Sequence, residues 1–444
     1  MFDALWRDLT GDAPGPVGIT GAETVLPGPF RVAAAASASV AAATLAAADL
    51  LRLRGIEPGV VRVDTRHAAA AFRSEKLVRV DGEPPGDVWA VLSGDYRATD
   101  GWVKLHCNYP HHAAAVRRAL GVPEDRDAVA VAVGERDAWD VQESVVADGG
   151  AAAAMRTREQ WLGSPMGRAL DGAPLVAFEA IGPASVRPLP ESPRPLGGMR
   201  VLDLTHVIAG PVAGRVLAAH GADVLHVGAA HLPTVHPLVV DTGMGKRSAH
   251  LDLRTADGRA ALWRLIGEAD VLLQSFRPGA LAGLGFTADR LAWARPGIVL
   301  VELNAWGWHG PWRQRRGFDS LVQMASGIAW GDDGPRPLPV QALDHATGWL
   351  AAAAAMIALR RRATEGGSLR ARLALARTGR WLDSLGRCTE AGATVDVSGF
   401  LAETDSGFGR LRYVTMPGSV PGAEPGWSRP SPVPGSSPAE WLRG

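Results

Sequence analysis

Beyond residue 198 the chain settles into short apolar runs separated by amphipathic stretches. The runs Met199–Leu204, Ala222–Val227, Asp270–Leu273 and Ile298–Leu303 read as strands, and Ser248–Leu253 as a further extended segment. Pro211–His220, Asp257–Ala269 and Thr287–Ala294 read as helices; Pro211 suits a first helical turn, where its missing N–H costs nothing. Strands alternating with helices of this length predict an α/β fold, with a parallel sheet covered on both faces, Rossmann-like at its start. The Ala-rich stretch 33–51 is long enough to suggest a membrane span. It is interrupted by Asp49 and lacks large apolar residues, so it is expected to be a tightly packed interior helix.

Five prolines between Pro183 and Pro195, followed by Leu196-Gly197-Gly198, can sustain neither a helix nor a central strand. They mark a linker over residues 186–198. The expected division is a helical segment at 1–72 that packs on the large domain, a small α+β domain at 73–185, the linker, a Rossmann-like core at 199–400 and an irregular tail at 401–444. A weak internal repeat links the ends: Ala36–Val40, an Ala-rich helix, Gly59 and Arg62 are echoed by Asp344–Gly348, a second Ala-rich helix, Gly367 and Arg370. Ala36 stands where Asp344 stands, so the first copy is expected to be structural.

Balanced charge, with 46 basic and 46 acidic residues, gives no reason to expect a nucleic-acid or membrane partner. Two cysteines cannot build a disulfide framework, and the N-terminus has no signal-peptide pattern, so a cytoplasmic setting is expected. Cys107, His111 and His112 fall together, but two adjacent imidazoles and one thiol do not complete a zinc site, and no metal is expected.

Five segments could carry chemistry. Thr205–Pro211 follows the first strand, where a strand-to-helix turn exposes backbone N–H groups to a ligand. Lacking the GxGxxG spacing, it does not suit ordinary NAD binding. Lys246-Arg247 could neutralise phosphates or be a solvated pair. Phe276-Arg277 could flank a nucleotide or simply end a strand; Arg313–Asp319 could bind an anion or decorate a loop. Asp344 opens the second Ala-rich helix, where an acidic cap is also ordinary.

Taken in order, VLDLTHVIAGP, HGADVLHV, GKRSAHLDL, ADVLLQSFRPGALAGLGF, RPGIVLVELNAWGWHGPW, RRGFDSLVQMASG and ALDHATG resemble the class III (CaiB/BaiF-type) CoA-transferases over about residues 196–380. Gly101–His106 and Glu159–Trp161 resemble parts of that family's smaller domain, here placed before the core, so the order looks permuted or partly duplicated. The resemblance implies a Rossmann-like CoA-binding domain and a smaller α+β domain. It implies that Asp344 attacks an acyl-CoA thioester, carries the acyl group as a mixed anhydride and then forms an aspartyl-CoA thioester. His206, Val207, Ile208 and Ala209 would line the CoA site, Lys246 and Arg247 would meet phosphates, Phe276 and Arg277 would flank the nucleotide, and Arg316 would lie near the phosphates. CoA would enter as a substrate moiety, with no tightly bound cofactor. The implied partners are an acyl-CoA and a carboxylic acid, in an interlocked homodimer with sites built from both chains. Gly228 and Gly283 replace an acidic and a basic residue common in the family, which also admits a CoA-binding protein without catalysis. The sister activity, α-methylacyl-CoA racemisation, uses a His where this chain has Phe318, which favours transfer.

Overall fold

The computed structural model describes residues 1–388 and 396–442, so a few residues of the expected core and tail lie outside it. Its main sheet has seven strands: β1 (Ala177–Gly182), β2 (Arg200–Leu204), β3 (Asp223–Gly228), β4 (Arg247–His250), β5 (Val271–Gln274), β6 (Val299–Asn304) and β7 (Ser368–Ala374). They lie in the order β4-β3-β2-β5-β6-β7-β1, all parallel except β1, which runs antiparallel to β7. Alternate residues explain why both faces are apolar. Val201, Val224, Val271 and Val299 enter one core, while Leu202, Leu225, Leu272 and Leu300 enter another on the opposite face. The chain reverses direction across the sheet between β2 and β5, which opens a crevice at their carboxyl ends.

Two long helices form the interior beside this sheet: α1 (Val32–Leu53) and, later in the chain, the Ala-rich helix Ala342–Glu365. Both are long and apolar enough to cross a membrane, and both are enclosed by the fold. Each leads into a strand and then a helix, Val61–Asp64 and Thr65–Ala71 after the first, β7 and Leu375–Ser384 after the second. Ala36 is fully buried. Helix α2 (Ala209–Ala219) follows β2, and α3 (Asp319–Ser326) precedes the second Ala-rich helix, α4 (Ala342–Glu365). Gly348 of α4 sits against α2 so closely that a Cβ there would lie 2.4 Å from the Ala209 carbonyl oxygen. The missing side chain lets the Asp344 end of α4 press against the first turn of α2.

The smaller domain is an antiparallel sheet of Gly94–Arg97, Trp102–Leu105 and Ala152–Ala154, covered by helices Pro110–Leu120, Arg126–Gly134 and Ala138–Ala147. Val103, Leu105, Val116, Val129 and Val141 give it its own core. The span 73–185 also supplies parts of the large domain: β1 closes the main sheet, and Ser74 donates to Asp241 at 2.8 Å.

The tail departs from expectation. Leu401–Ser406 and Gly409–Val414 form a hairpin, with Arg79–Val80 as its third strand. The alternation of charged and apolar residues in Gly409–Val414 suits a strand with one face on the core, a signal masked by the Pro- and Gly-rich sequence after it. From Pro417 to Leu442 the described chain has neither helix nor strand, yet it is tied down. The Trp427 and Trp441 indoles donate to the Arg215 and Leu265 carbonyls at 2.9 and 3.0 Å.

Candidate active site

The crevice between β2 and β5 widens into a cavity of about 440 Å³ at the edge of the smaller domain. Asp344 lies on its wall and is 7% exposed. Two carboxylates set its position. Asp344 donates its backbone N–H to Asp319 Oδ2 at 2.8 Å, joining the first turns of α4 and α3. Gln323, one turn further along α3, donates to the other Asp319 oxygen and accepts from the Leu338 N–H at 2.8 Å. Asp319 and Gln323 thus lock the loop that leads into α4. Behind Asp344, His345 Nε2 meets Glu75 Oε2 at 3.0 Å, and its ring stacks on Phe72 at 5.2 Å.

Burial raises the Asp344 pKa well above the usual carboxylate range, and the nearby Asp319 and Glu75 charges push it further. Burial also raises Asp319 to about 6, against the lowering effect of its hydrogen bonds from Gln323 and the α4 backbone. The folded protein therefore holds protons here that the unfolded chain releases near pH 4. Stability is greatest while both acids are protonated and falls as pH rises through their folded pKa values. Asp344→Asn removes one of these buried acids. Its melting temperature should exceed that of the wild type at pH 8, with the gap closing as pH approaches 4. A gap that widens toward acid would contradict the raised pKa.

The loop after β2 forms the next wall. Asp203 accepts the Thr205 backbone N–H at 2.9 Å as well as the Thr205 hydroxyl, and the His206 N–H reaches Ser275 Oγ at 3.2 Å, bridging the crevice. Val207 is held at φ 72°, a left-handed conformation that a β-branched residue adopts only under constraint. His206, Val207 and Ala209 line the cavity, whereas Ile208 is buried as the residue before α2. Burial first, and His226 second, lower the His206 pKa to about 4, so its imidazole is neutral at physiological pH.

Phe276, Arg277 and Arg316 also line the cavity. Burial and the charge of Arg277 lower the Arg316 pKa, a repulsion that a bound anion would relieve. Lys246 and Arg247 are placed differently from the expectation that they meet phosphates. Lys246 Nζ is buried against Asp203 Oδ2 at 2.7 Å and the Pro211 carbonyl at 2.8 Å. Arg247 makes a two-pronged contact with Asp223 at 3.0 and 2.9 Å and donates to the Glu440 carbonyl. Both cations are spent within the protein. At Gly228 and Gly283 an added Cβ would meet no atom closer than 3.6 Å, so both positions face open space.

The smaller domain completes the cavity from within the same chain. Tyr109, His111 and His112 line it, and Phe318 stacks on His106 with ring centroids 3.5 Å apart. Arg315 grips Glu143 through two contacts of 2.8 and 2.7 Å, and Arg316 donates to the Gly149 carbonyl. Sequence reasoning left Asp319, Gln323, Glu75, His106 and Tyr109 without roles, set His111 and His112 aside as an incomplete metal set and used Phe318 only against racemisation. An acid and an amide one turn apart within an apolar helix were the available signal for the first two.

The model of CoA-transferase family III matches residues 196–385. An acyl-CoA transferase of Gibberella moniliformis is 30% identical over 397 residues, covering 77% of this chain and 69% of that protein. A probable fatty acyl-CoA transferase of Mycobacterium tuberculosis is 36% identical over 39% of this chain and 48% of its own length. A succinyl-CoA–D-citramalate CoA-transferase of Chloroflexus aurantiacus is 31% identical over 39% of this chain and 47% of its own. The chain thus spans about half the length of the two bacterial relatives. Among solved structures, that of a Mycobacterium tuberculosis protein shares 33% identity at a TM-score of 0.41, over 43% of this chain and 57% of that one. A parallel sheet with a carboxylate-bearing helix at its crevice defines an α/β protein with a carboxylate where such folds place their ligand sites. The chain belongs to CoA-transferase family III, a family of CoA-transferring enzymes.

Proposed function

We propose that the protein moves CoA between an acyl-CoA thioester and a carboxylic acid, with Asp344 carrying the acyl group. The observation that carries this reading is the polarity of the cavity around Asp344. Leu303, Ala305, Trp306 and Leu375 offer an apolar wall for an acyl chain, while Arg277 and Arg316 offer cations for phosphates. Asp344 attacks the thioester carbonyl, and collapse of the tetrahedral adduct expels CoA thiolate and leaves a mixed anhydride. The thiolate attacks the aspartyl carbonyl, giving aspartyl-CoA and releasing the first acid. An incoming carboxylate reverses these steps and leaves as the new acyl-CoA. All of this requires Asp344 to ionise, against the burial and neighbouring carboxylates that favour its protonated form. Phe318 cannot move a proton, which supports transfer over racemisation. The setting proposed is the cytoplasm. The test is turnover of acyl-CoA with a panel of acids, with hydroxylamine trapping of the acyl-aspartyl intermediate; neither turnover nor an adduct would refute it.

Tyr109, His111 and His112 reach the cavity from the chain that carries Asp344, which supports a site held within each chain. Family-like pairing into a homodimer would therefore bring together two such sites without being needed to build either. Specific activity should stay constant on dilution into a range where light scattering gives a monomer. Loss of activity in step with dissociation would show that the site is shared between chains.

A further inference from the structure

This inference rests on the transfer reading above. The start of a helix is the expected source of donors for the oxyanion that forms when Asp344 attacks. In α4 that source is spent. The Asp344 N–H is given to Asp319, the Ala342 N–H to the Val340 carbonyl and the His345 N–H to the Gln341 carbonyl. The Leu343 N–H also acts on Asp319. The oxyanion needs another donor.

The smaller domain offers one. His112 lies in the first turn of helix Pro110–Leu120, is 2% exposed and lines the same cavity as Asp344. Neither ring nitrogen makes a well-formed hydrogen bond among the described residues; a marginal contact with the His106 backbone is the one polar interaction that reaches the ring. Aromatic contacts hold it: its ring meets Phe318 edge-on at 5.8 Å, Tyr109 at 5.4 Å and His111 at 4.2 Å. Phe318 immediately precedes Asp319, which accepts the Asp344 N–H, so packing connects the imidazole to the placement of the nucleophile. A buried imidazole without a well-formed hydrogen bond costs stability, and such a cost is maintained where a ligand supplies the missing partner.

We propose that His112 donates a ring N–H to the acyl carbonyl oxygen, first of the thioester and then of the mixed anhydride. No proton is transferred. As the Asp344 oxygen bonds to the carbonyl carbon, the π electrons move to the oxygen facing His112; they return as CoA thiolate leaves. Burial, then the neighbouring His111, Arg316 and Arg277, lower the His112 pKa to about 3. The ring is therefore neutral at physiological pH, with one N–H to donate.

Three full-length variants test this with an acyl-CoA and acid that the wild type turns over. His112→Ala and His112→Leu should lower kcat by about 100-fold, the scale of a lost oxyanion donor. The KM for acyl-CoA should stay within about twofold, and trapping of the Asp344 adduct should slow by the same factor as kcat. His112→Gln, which keeps an N–H donor, should recover part of the rate. His112→Leu should also melt about 2 °C above the wild type, because it removes two nitrogens without a well-formed hydrogen bond from the interior. Unchanged kcat in His112→Leu would overturn the proposal. So would a lower melting temperature with kcat falling only as folded protein is lost, which marks a structural histidine. Deuterium exchange at the α-carbon without an acceptor acid, abolished in His112→Ala, would make the ring a proton carrier and overturn the donor role. If the wild type forms no Asp344 adduct, the transfer reading fails and takes this inference with it; an adduct unaffected by His112→Leu sinks this inference alone.

Discussion

Asp344→Ala is expected to abolish CoA transfer, with a loss on the order of 10⁴-fold or more, the scale seen when a covalent nucleophile is removed. Among the described residues lining the cavity, Asp344 is the sole carboxylate, and none is a cysteine. Ser275 already accepts the His206 N–H, and among the described residues no general base is hydrogen-bonded to it. No second group stands ready to carry the acyl chain. Binding should follow a different course. Arg277, Arg316 and the loop after β2 do not depend on the Asp344 side chain, so calorimetry should give CoA an affinity within a few-fold of the wild type. Mass spectrometry after incubation with acyl-CoA should find the aspartyl adduct in the wild type and no adduct in the variant. Turnover by Asp344→Ala, or an adduct on another residue, would remove Asp344 from the mechanism. A variant that loses both affinity and turnover would instead point to a collapsed site.

What the sequence made legible follows from the range over which each signal acts. The strands of the main sheet are short apolar runs buried on both faces, so composition alone marks β2, β5 and β6. The ordered motifs led to Asp344 and to the loops around it. The cations were harder. Sequence displays a positive charge but not the carboxylate that waits across the fold, and Lys246 finds Asp203 at 43 positions' distance while Arg247 finds Asp223 at 24. Arg277 and Arg316 have no such ion pair among the described residues and remain turned to the cavity. His111 and His112 looked like an incomplete metal set because their real neighbours, Phe318 and the cavity, come from another domain. The Asp319–Asp344 contact also depends on tertiary structure: two acids at the starts of separate helices look like ordinary helix-start residues until one is seen to accept the other's N–H.

Lys246→Met should destabilise the protein by about 3–5 kcal/mol, because it leaves the Asp203 carboxylate buried without its cation. Burial alone would raise the Asp203 pKa; Lys246 and His226 outweigh it and hold the carboxyl well below the usual range, so without Lys246 burial works against the charged form. A loss of that size should lower the melting temperature by about 3–5 °C in a chain of this size. It should also reach the site, because Asp203 holds both donors of Thr205 and Lys246 holds the Pro211 carbonyl of α2, bracketing the strained Val207. Once that bracket loosens, Val207 can leave its left-handed conformation and the KM for acyl-CoA should rise. The double variant Asp203→Leu/Lys246→Met should recover part of the stability, since an apolar pair can replace a buried ion pair, but not the KM, since the Thr205 anchor is gone. A lysine that met CoA phosphates would behave in the opposite way. Its loss would weaken CoA binding in a salt-dependent manner and leave the melting temperature of the free protein almost unchanged. Thermal melts of the unliganded single and double variants, set beside their KM values, separate the two roles.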